Sequence, residues 1–314
     1  MSEPLHFLTG EELSIGGLAA IIDRAEALRL ERNAGKLRKD LEGKTVVMLF
    51  DKQSLRTRVS FSVAVNELGG FAIESIGSSR KHEEPEDVAG VMNGFCHAVV
   101  VRTHADSIVE RMARASRVPV INALTDDHHP CQVMADLLTL KQLKGRLKGL
   151  KFAYIGDGNN MLHSMALLMP ALGVHVHYAC PEGYQPKPGI MLRAQKRAVE
   201  GGGSITAFKT PKEAVAGVDA IYTDVWTSMG FEAEEKTREE AFTGYQLNAE
   251  LYSLAARDAL IMHCMPMIRG KEITSEMADH ACSAIFRQSE NRLHVQKALL
   301  LDVMGRLVGS APGR

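Results

Sequence analysis

Thr45-Val46-Val47-Met48-Leu49-Phe50 leads through Ser54-Leu55-Arg56-Thr57-Arg58 into Val59-Ser60-Phe61-Ser62-Val63-Ala64-Val65-Asn66-Glu67-Leu68, which stops at Gly69-Gly70. The first run is continuously apolar, as a strand buried on both faces must be. The last has helical spacing and a glycine stop. Two hydroxyls (Ser54, Thr57) and two guanidiniums (Arg56, Arg58) therefore sit where a strand turns into a helix. A helix N-terminus offers N–H groups and a partial positive charge, which suits a phosphate, and arginine adds forked, permanently charged donors. A Ser helix cap followed by surface arginines would read the same way locally.

The flanking sequence repeats the pattern. A helix is predicted from about Thr9 to Lys36, strands over Phe71–Ile76, Ala98–Arg102 and Val118–Asn122, and helices from Pro85 to about Gly94 and from about Val133 to Gly145. The basic, glycine-punctuated stretch 141–149 marks a boundary. The alternation then restarts with strands at Phe152–Ile155, Val174–Ala179, Ser204–Phe208, Ala220–Trp226, Ala259–Cys264 and Ala284–Phe286, a helix over Met161–Leu172, and a closing amphipathic helix from Glu290 to about Leu307. Alternating strands and helices specify an α/β fold with two parallel, Rossmann-like sheets joined by bridging helices. The expected domains are 1–140, with 290–314 packing back on it, and 150–289. Ligands of such sheets bind beyond the strand carboxyl ends, where Ser54, Arg102 and the loop after Asn122 all fall. Gly156-Asp157-Gly158-Asn159-Asn160 lacks the third glycine of a dinucleotide loop, so NAD is not expected.

Composition narrows the function. The 314 residues carry a net charge of −1, so no global field draws the chain to nucleic acid or to an anionic membrane. No apolar run is long enough to span a bilayer, and Met1–His6 has no basic region followed by an apolar core, which argues against a secretory signal. Five scattered cysteines without CxxC spacing point to a reduced, cytoplasmic protein with neither a disulfide framework nor a structural zinc.

Six motifs, in order along nearly the whole chain, resemble the ornithine carbamoyltransferases: Ser54-Leu55-Arg56-Thr57-Arg58, His129-Pro130-Cys131-Gln132, Gly156-Asp157-Gly158-Asn159-Asn160, Asp224-Val225-Trp226-Thr227-Ser228-Met229-Gly230, His263-Cys264-Met265-Pro266 and Glu290-Asn291-Arg292. The resemblance implies transfer of the carbamoyl group of carbamoyl phosphate to ornithine, giving citrulline and phosphate in arginine metabolism. The implied machinery is a carbamoyl-phosphate domain, an ornithine domain and a homotrimer or a multiple of trimers, with no metal and no cofactor. It assigns carbamoyl phosphate to Ser54, Leu55, Arg56, Thr57, Arg102, His129, Gln132, Cys264, Met265 and Arg292, with Arg102, His129, Cys264 and Arg292 catalytic. Ornithine falls to Asn160, Asp224, Ser228 and Met229. The amine attacks directly and must be neutral, so the rate should rise with pH.

Several of these residues have plainer readings: His129 as a loop or capping histidine, Cys264 as a buried small hydrophobe, Asp224 as a helix cap, Met229 as core, Arg292 as a solvated helix charge. Glu67, Asp87 and Asp136 read as structural, and His128 is left outside the site. Three departures from the family pattern stand out: Leu55 where Thr is usual, a shortened 78–82 loop without its Gln, and Met267-Ile268 before Arg269-Gly270. The alternatives are an N-acylated ornithine or another amine as acceptor, or a non-catalytic regulatory relative. The retained Ser228-Met229-Gly230 favours free ornithine.

Overall fold

A computed structural model describes residues 4–76, 83–227 and 232–308. The chain divides into two compact units, one of residues up to Leu138 together with those from Asn291 onward, the other Thr139–Glu290.

In the first unit β1 (Thr45–Phe50), β2 (Phe71–Ile76), β3 (Ala98–Arg102) and β4 (Val120–Leu124) form a parallel sheet in the order β2-β1-β3-β4. Helices α1 (Ile15–Asn33), α2 (Leu55–Glu67), α3 (Pro85–Phe95) and α4 (Asp106–Ala115) belong to it. Register places Phe50 beside both Ile76 and Arg102, so the strand ends that carry the motifs are level. One face packs Val47, Leu49, Val99 and Val101 against Val88, Ala89, Val109 and Met112 of α3 and α4. Parallel neighbours point the same way, so Phe71 and Ile73 of the edge strand share that face, yet they are 65% and 53% exposed.

The second unit has the parallel order β7-β6-β5-β8-β9, built from β5 (Lys151–Ile155), β6 (His175–Ala179), β7 (Ser204–Ala207), β8 (Ala220–Thr223) and β9 (Leu260–His263). Its helices include α6 (Asn160–Leu168), α7 (Pro188–Gly201), α8 (Pro211–Val215), α9 (Glu235–Ala241), α10 (Ala249–Tyr252) and α11 (Ser275–Ala278). The chain passes between units within α5 (Pro130–Lys144) and α12 (Ile285–Val308).

Several expected boundaries move for local reasons. The first helix starts at Ile15, because Thr9 N donates to Glu12 Oε1 (3.0 Å) in a separate turn and Ser14 caps the helix proper. β4 starts two residues late because Ser116 Oγ ties Val118 into a turn. β8 ends at Thr223, where Asp224 folds its carboxylate back onto Val225 N. Helix α5 opens at Pro130, since proline at a first helical position loses no needed N–H, and Gly145 (φ 71°) closes it. Met161–Leu172 breaks after Leu168, before Pro170. The strand expected at Ala284–Phe286 is absent. Ile261 N donates to Cys282 O and Ala284 N to Ile261 O, a single bridge, and the chain then enters α12 at Ile285.

The Gly156–Asn160 turn depends on one close approach. A Cβ on Gly158 would lie 2.3 Å from Pro186 N and 2.4 Å from the Gln185 carbonyl carbon. Gly158→Ala should therefore lower the denaturation midpoint by the equivalent of about 1–3 kcal/mol, as overpacking does. Gly90→Ala, in α3 with nothing within 4 Å, should raise it by about 0.4–1 kcal/mol.

Candidate active site

Ser54 caps α2, its Oγ accepting from Thr57 N at 3.2 Å. Leu55 is 73% exposed, so this position offers the helix terminus its backbone N–H rather than its side chain. Arg58 points elsewhere, to Glu74 Oε2 at 2.7 Å, which leaves Arg56 as the motif's guanidinium near His129. Arg292 of α12 donates through Nη2 to Thr57 Oγ1 at 2.5 Å. The loops after β1, β3 and β4 are stitched together: Thr103 Oγ1 donates to Asp51 Oδ2 (2.6 Å), Thr103 N to Leu124 O, Asp126 N to His104 O, and Lys52 pairs with Asp126 (2.5 Å).

His129 stands just before α5 with its carbonyl accepting from Gln132 N. Burial, reinforced by Arg292, Arg102 and Arg56, holds its imidazole well below the usual histidine range, so it is a neutral donor rather than a cation. One turn along, Gln132 Nε2 donates to Asp136 Oδ1 at 2.9 Å. Because the carboxylate takes the NH₂ side, Gln132 Oε1 faces away from it, buried and without a hydrogen-bond partner among the described residues. Cys131 is pushed up to about 12 by burial, which makes it no nucleophile.

In the second unit Cys264 meets Asp224, Met265 follows Cys264 in the chain, and Asn160 opens α6. Asp224 Oδ1 accepts from Val225 N (2.8 Å) and the Cys264 thiol (2.9 Å), and Oδ2 from Asn159 Nδ2 (2.9 Å). A carboxylate has roughly four acceptor positions, so about one stays open to an ammonium. Met265 has φ 64°, a left-handed conformation costly for a side-chain residue. It is held by Met265 N donating to His263 Nδ1 (2.8 Å), which fixes the proton on Nε2, facing Glu272 Oε1 (3.1 Å). Arg238 pairs with Asp157 (2.7 Å) and donates to Trp226 O (3.0 Å), bracing the segment before residue 228. Burial raises Asp157 above the usual carboxylate range, and Arg238 offsets part of that. Ser228, Met229 and the 78–82 loop lie outside the described residues. Ligand atoms of Asp224, His263 and Cys264 lie within 4.8 Å of one another, but each residue is already hydrogen-bonded as above.

Residues 5–142 match the family model for the aspartate/ornithine carbamoyltransferase carbamoyl-P binding domain, and residues 148–303 match that for the Asp/Orn binding domain. The chain belongs to this family. It is similar to the ornithine carbamoyltransferases of Geobacter metallireducens (45% identical, covering 95% of this chain and 99% of that protein) and Acidothermus cellulolyticus (44%, covering 96% and 97%). It is also similar to the solved structure of ornithine carbamoyltransferase from Pyrococcus furiosus, with TM-score 0.93, 40% identity and 96% and 98% coverage. The chain is thus a carbamoyltransferase.

Reading motifs alone misses the residues that hold this carbamoyltransferase's functional side chains in place. Asn159 braces Asp224, and its only signal is an Asn before a helix start. Glu272 and Arg238 carry no local signal, because their partners lie 9 and 81 residues away.

The lowered His129 has a consequence for stability. Below about pH 6.5 the unfolded chain takes up a proton that the folded site refuses, so the site contributes less stability as pH falls. Urea denaturation at pH 7.5 and pH 5 should show wild type losing more stability than His129→Asn, by up to about 1.4 kcal/mol per pH unit below that value.

Proposed function

We propose that the chain catalyses transfer of the carbamoyl group from carbamoyl phosphate to the side-chain amine of L-ornithine, giving L-citrulline and phosphate. The observation that carries the reading is the buried pairing of Gln132 with neutral His129 among three guanidiniums. An amide acceptor, a neutral N–H donor and an arginine cluster match the NH₂, the carbonyl oxygen and the phosphate of one molecule.

In this reading the first unit binds carbamoyl phosphate. The N-terminus of α2, Ser54, Thr57 and Arg56 hold the phosphate, Arg102 bridges phosphate and carbonyl, and Arg292 lies alongside. Gln132 Oε1 accepts from the carbamoyl NH₂. His129 donates to the oxygen that becomes an oxyanion as nitrogen attacks, and phosphate departs when the tetrahedral intermediate collapses. The second unit binds ornithine through Asn160, Asp224, Ser228 and Met229. Asp224 takes the α-ammonium in its remaining acceptor position, and Cys264 orients the attacking amine. Leu55, by exposing its side chain, leaves the backbone contribution to the phosphate site intact.

The enzyme serves arginine metabolism in the cytoplasm as a trimer or a multiple of trimers. None of the five cysteines is in a disulfide, and no described helix is long and apolar enough to cross a membrane. Support for assembly comes from the uncovered Phe71 and Ile73 on the edge strand.

Purified protein with carbamoyl phosphate should form citrulline from ornithine, with no ureido product from N-acetylornithine or putrescine, and its rate should climb with pH as the amine loses its proton. Turnover with N-acetylornithine alone would transfer the same chemistry to an acylated acceptor. His129→Ala should lower kcat by about 10²–10³, the usual cost of removing one oxyanion donor.

A further inference from the structure

Asp106, the first residue of α4, lies at the mouth of the first sheet, and its carboxylate gathers the loop between β4 and α5. Oδ1 accepts from Thr125 Oγ1 (2.8 Å) and meets His128 Nδ1 at 2.5 Å, while Oδ2 accepts from Asp127 N (3.1 Å). Burial works against the ionised carboxyl, but His128, Thr125 and Asp127 together hold Asp106 below the usual carboxylate range. An ionised carboxylate only accepts, so His128 Nδ1 carries the hydrogen. The same loop is closed from behind. Thr125 N donates to His128 O at 2.9 Å, and Asn122 Nδ2 donates both to Thr125 Oγ1 (3.1 Å) and to Leu8 O (2.9 Å). His128 is thus fixed at its side chain by Asp106 and at its carbonyl by Thr125. That carbonyl belongs to the peptide bond that leads into His129, whose own carbonyl is fixed by the first turn of α5.

We propose that His128 and Asp106 are positioning residues for the transfer reaction, acting through His129 by setting the plane of the 128–129 peptide and hence the direction of the His129 N–H. The proposal rests on the reading of His129 as donor to the carbamoyl oxygen. An oxyanion donor acts only when aimed at the oxygen of the transition state, and a misplacement of about 1 Å can cost about a hundredfold in rate. A buried imidazole held by a short hydrogen bond to Asp106 supplies that rigidity beside the reacting group.

The test compares His128→Phe, which keeps the ring and loses Nδ1–H, with His128→Asn, whose amide N–H replaces that donor, and with Asp106→Ala and the double variant Asp106→Ala/His128→Phe. His128→Phe and Asp106→Ala should each lower kcat for citrulline about tenfold to a hundredfold, leaving KM for carbamoyl phosphate within about twofold. His128→Asn should recover most of the rate, and the double variant should be no slower than the slower single one, because the His128–Asp106 bond lost in His128→Phe is already lost in Asp106→Ala. Unchanged kcat in His128→Phe, additive losses in the double variant, or no recovery with Asn would each overturn the proposal. Should the Phe variant fail to fold, His128→Asn against His128→Gln decides. Gln mimics the other ring nitrogen, and equal rates for the two would overturn the proposal. His129→Ala run alongside separates the two readings. If it keeps full activity, the role given to His129 falls. If it is inactive while His128→Phe is fully active, only the positioning role falls.

Discussion

Two buried guanidiniums, Arg102 and Arg292, and a third, half-buried one, Arg56, would repel the buried His129 imidazole were it protonated, and the arginines cannot give up their protons. The imidazole is the one member that can yield, and it stays neutral. Everything around it keeps that unfavourable group from relaxing. Arg102 ends a strand buried along its whole length, Arg292 lies on a 24-residue helix and is tied to Thr57, and Arg56 is in the first turn of a Ser-capped helix. The side-chain bonds between the loops after β1, β3 and β4 close the remaining freedom. In the proposed reaction such a cluster would meet a compact anion with an already oriented field, which costs no reorganisation when negative charge develops.

The second unit solves the converse problem. The Asp224 carboxylate is kept in place by a thiol, an amide and its neighbour's backbone N–H, so its remaining capacity is small and directional. Backbone strain at Met265, next to the Cys264 that donates to Asp224, is held by the buried His263–Glu272 pair.

Much of this was legible in the chain because the interior parallel strands β1 and β3 are buried on both faces and read as unbroken apolar runs, while the exposed edge strand β2 shows itself through Phe71-Ala72-Ile73. Thr45–Phe50, Phe71–Ile76 and Ala98–Arg102 match their strands residue for residue. What misled was the same cue without context. Ala284–Ile285–Phe286 is apolar, but one bridge to Ile261 is all it contributes before helix α12 begins. The motifs located the candidate side chains, since strand ends and helix caps are local features. They did not reveal which neighbours those side chains would engage. Arg58 is drawn off by Glu74, Asn159 rather than Asn160 braces Asp224, and His128, beside the histidine singled out, is locked to Asp106 across 22 residues of sequence. Pairings of that range are fixed by packing, not by spacing.

The edge strand β2 gives a different kind of consequence. Phe71 and Ile73 are uncovered next to unpaired backbone, in a sheet with long-range parallel pairings that form late. A freshly synthesised chain therefore passes through its most vulnerable period with a sticky, strand-shaped template open to other chains. How much native protein a cell recovers will depend on how quickly that surface is hidden relative to how often chaperones, proteases or another unfolded chain reach it first.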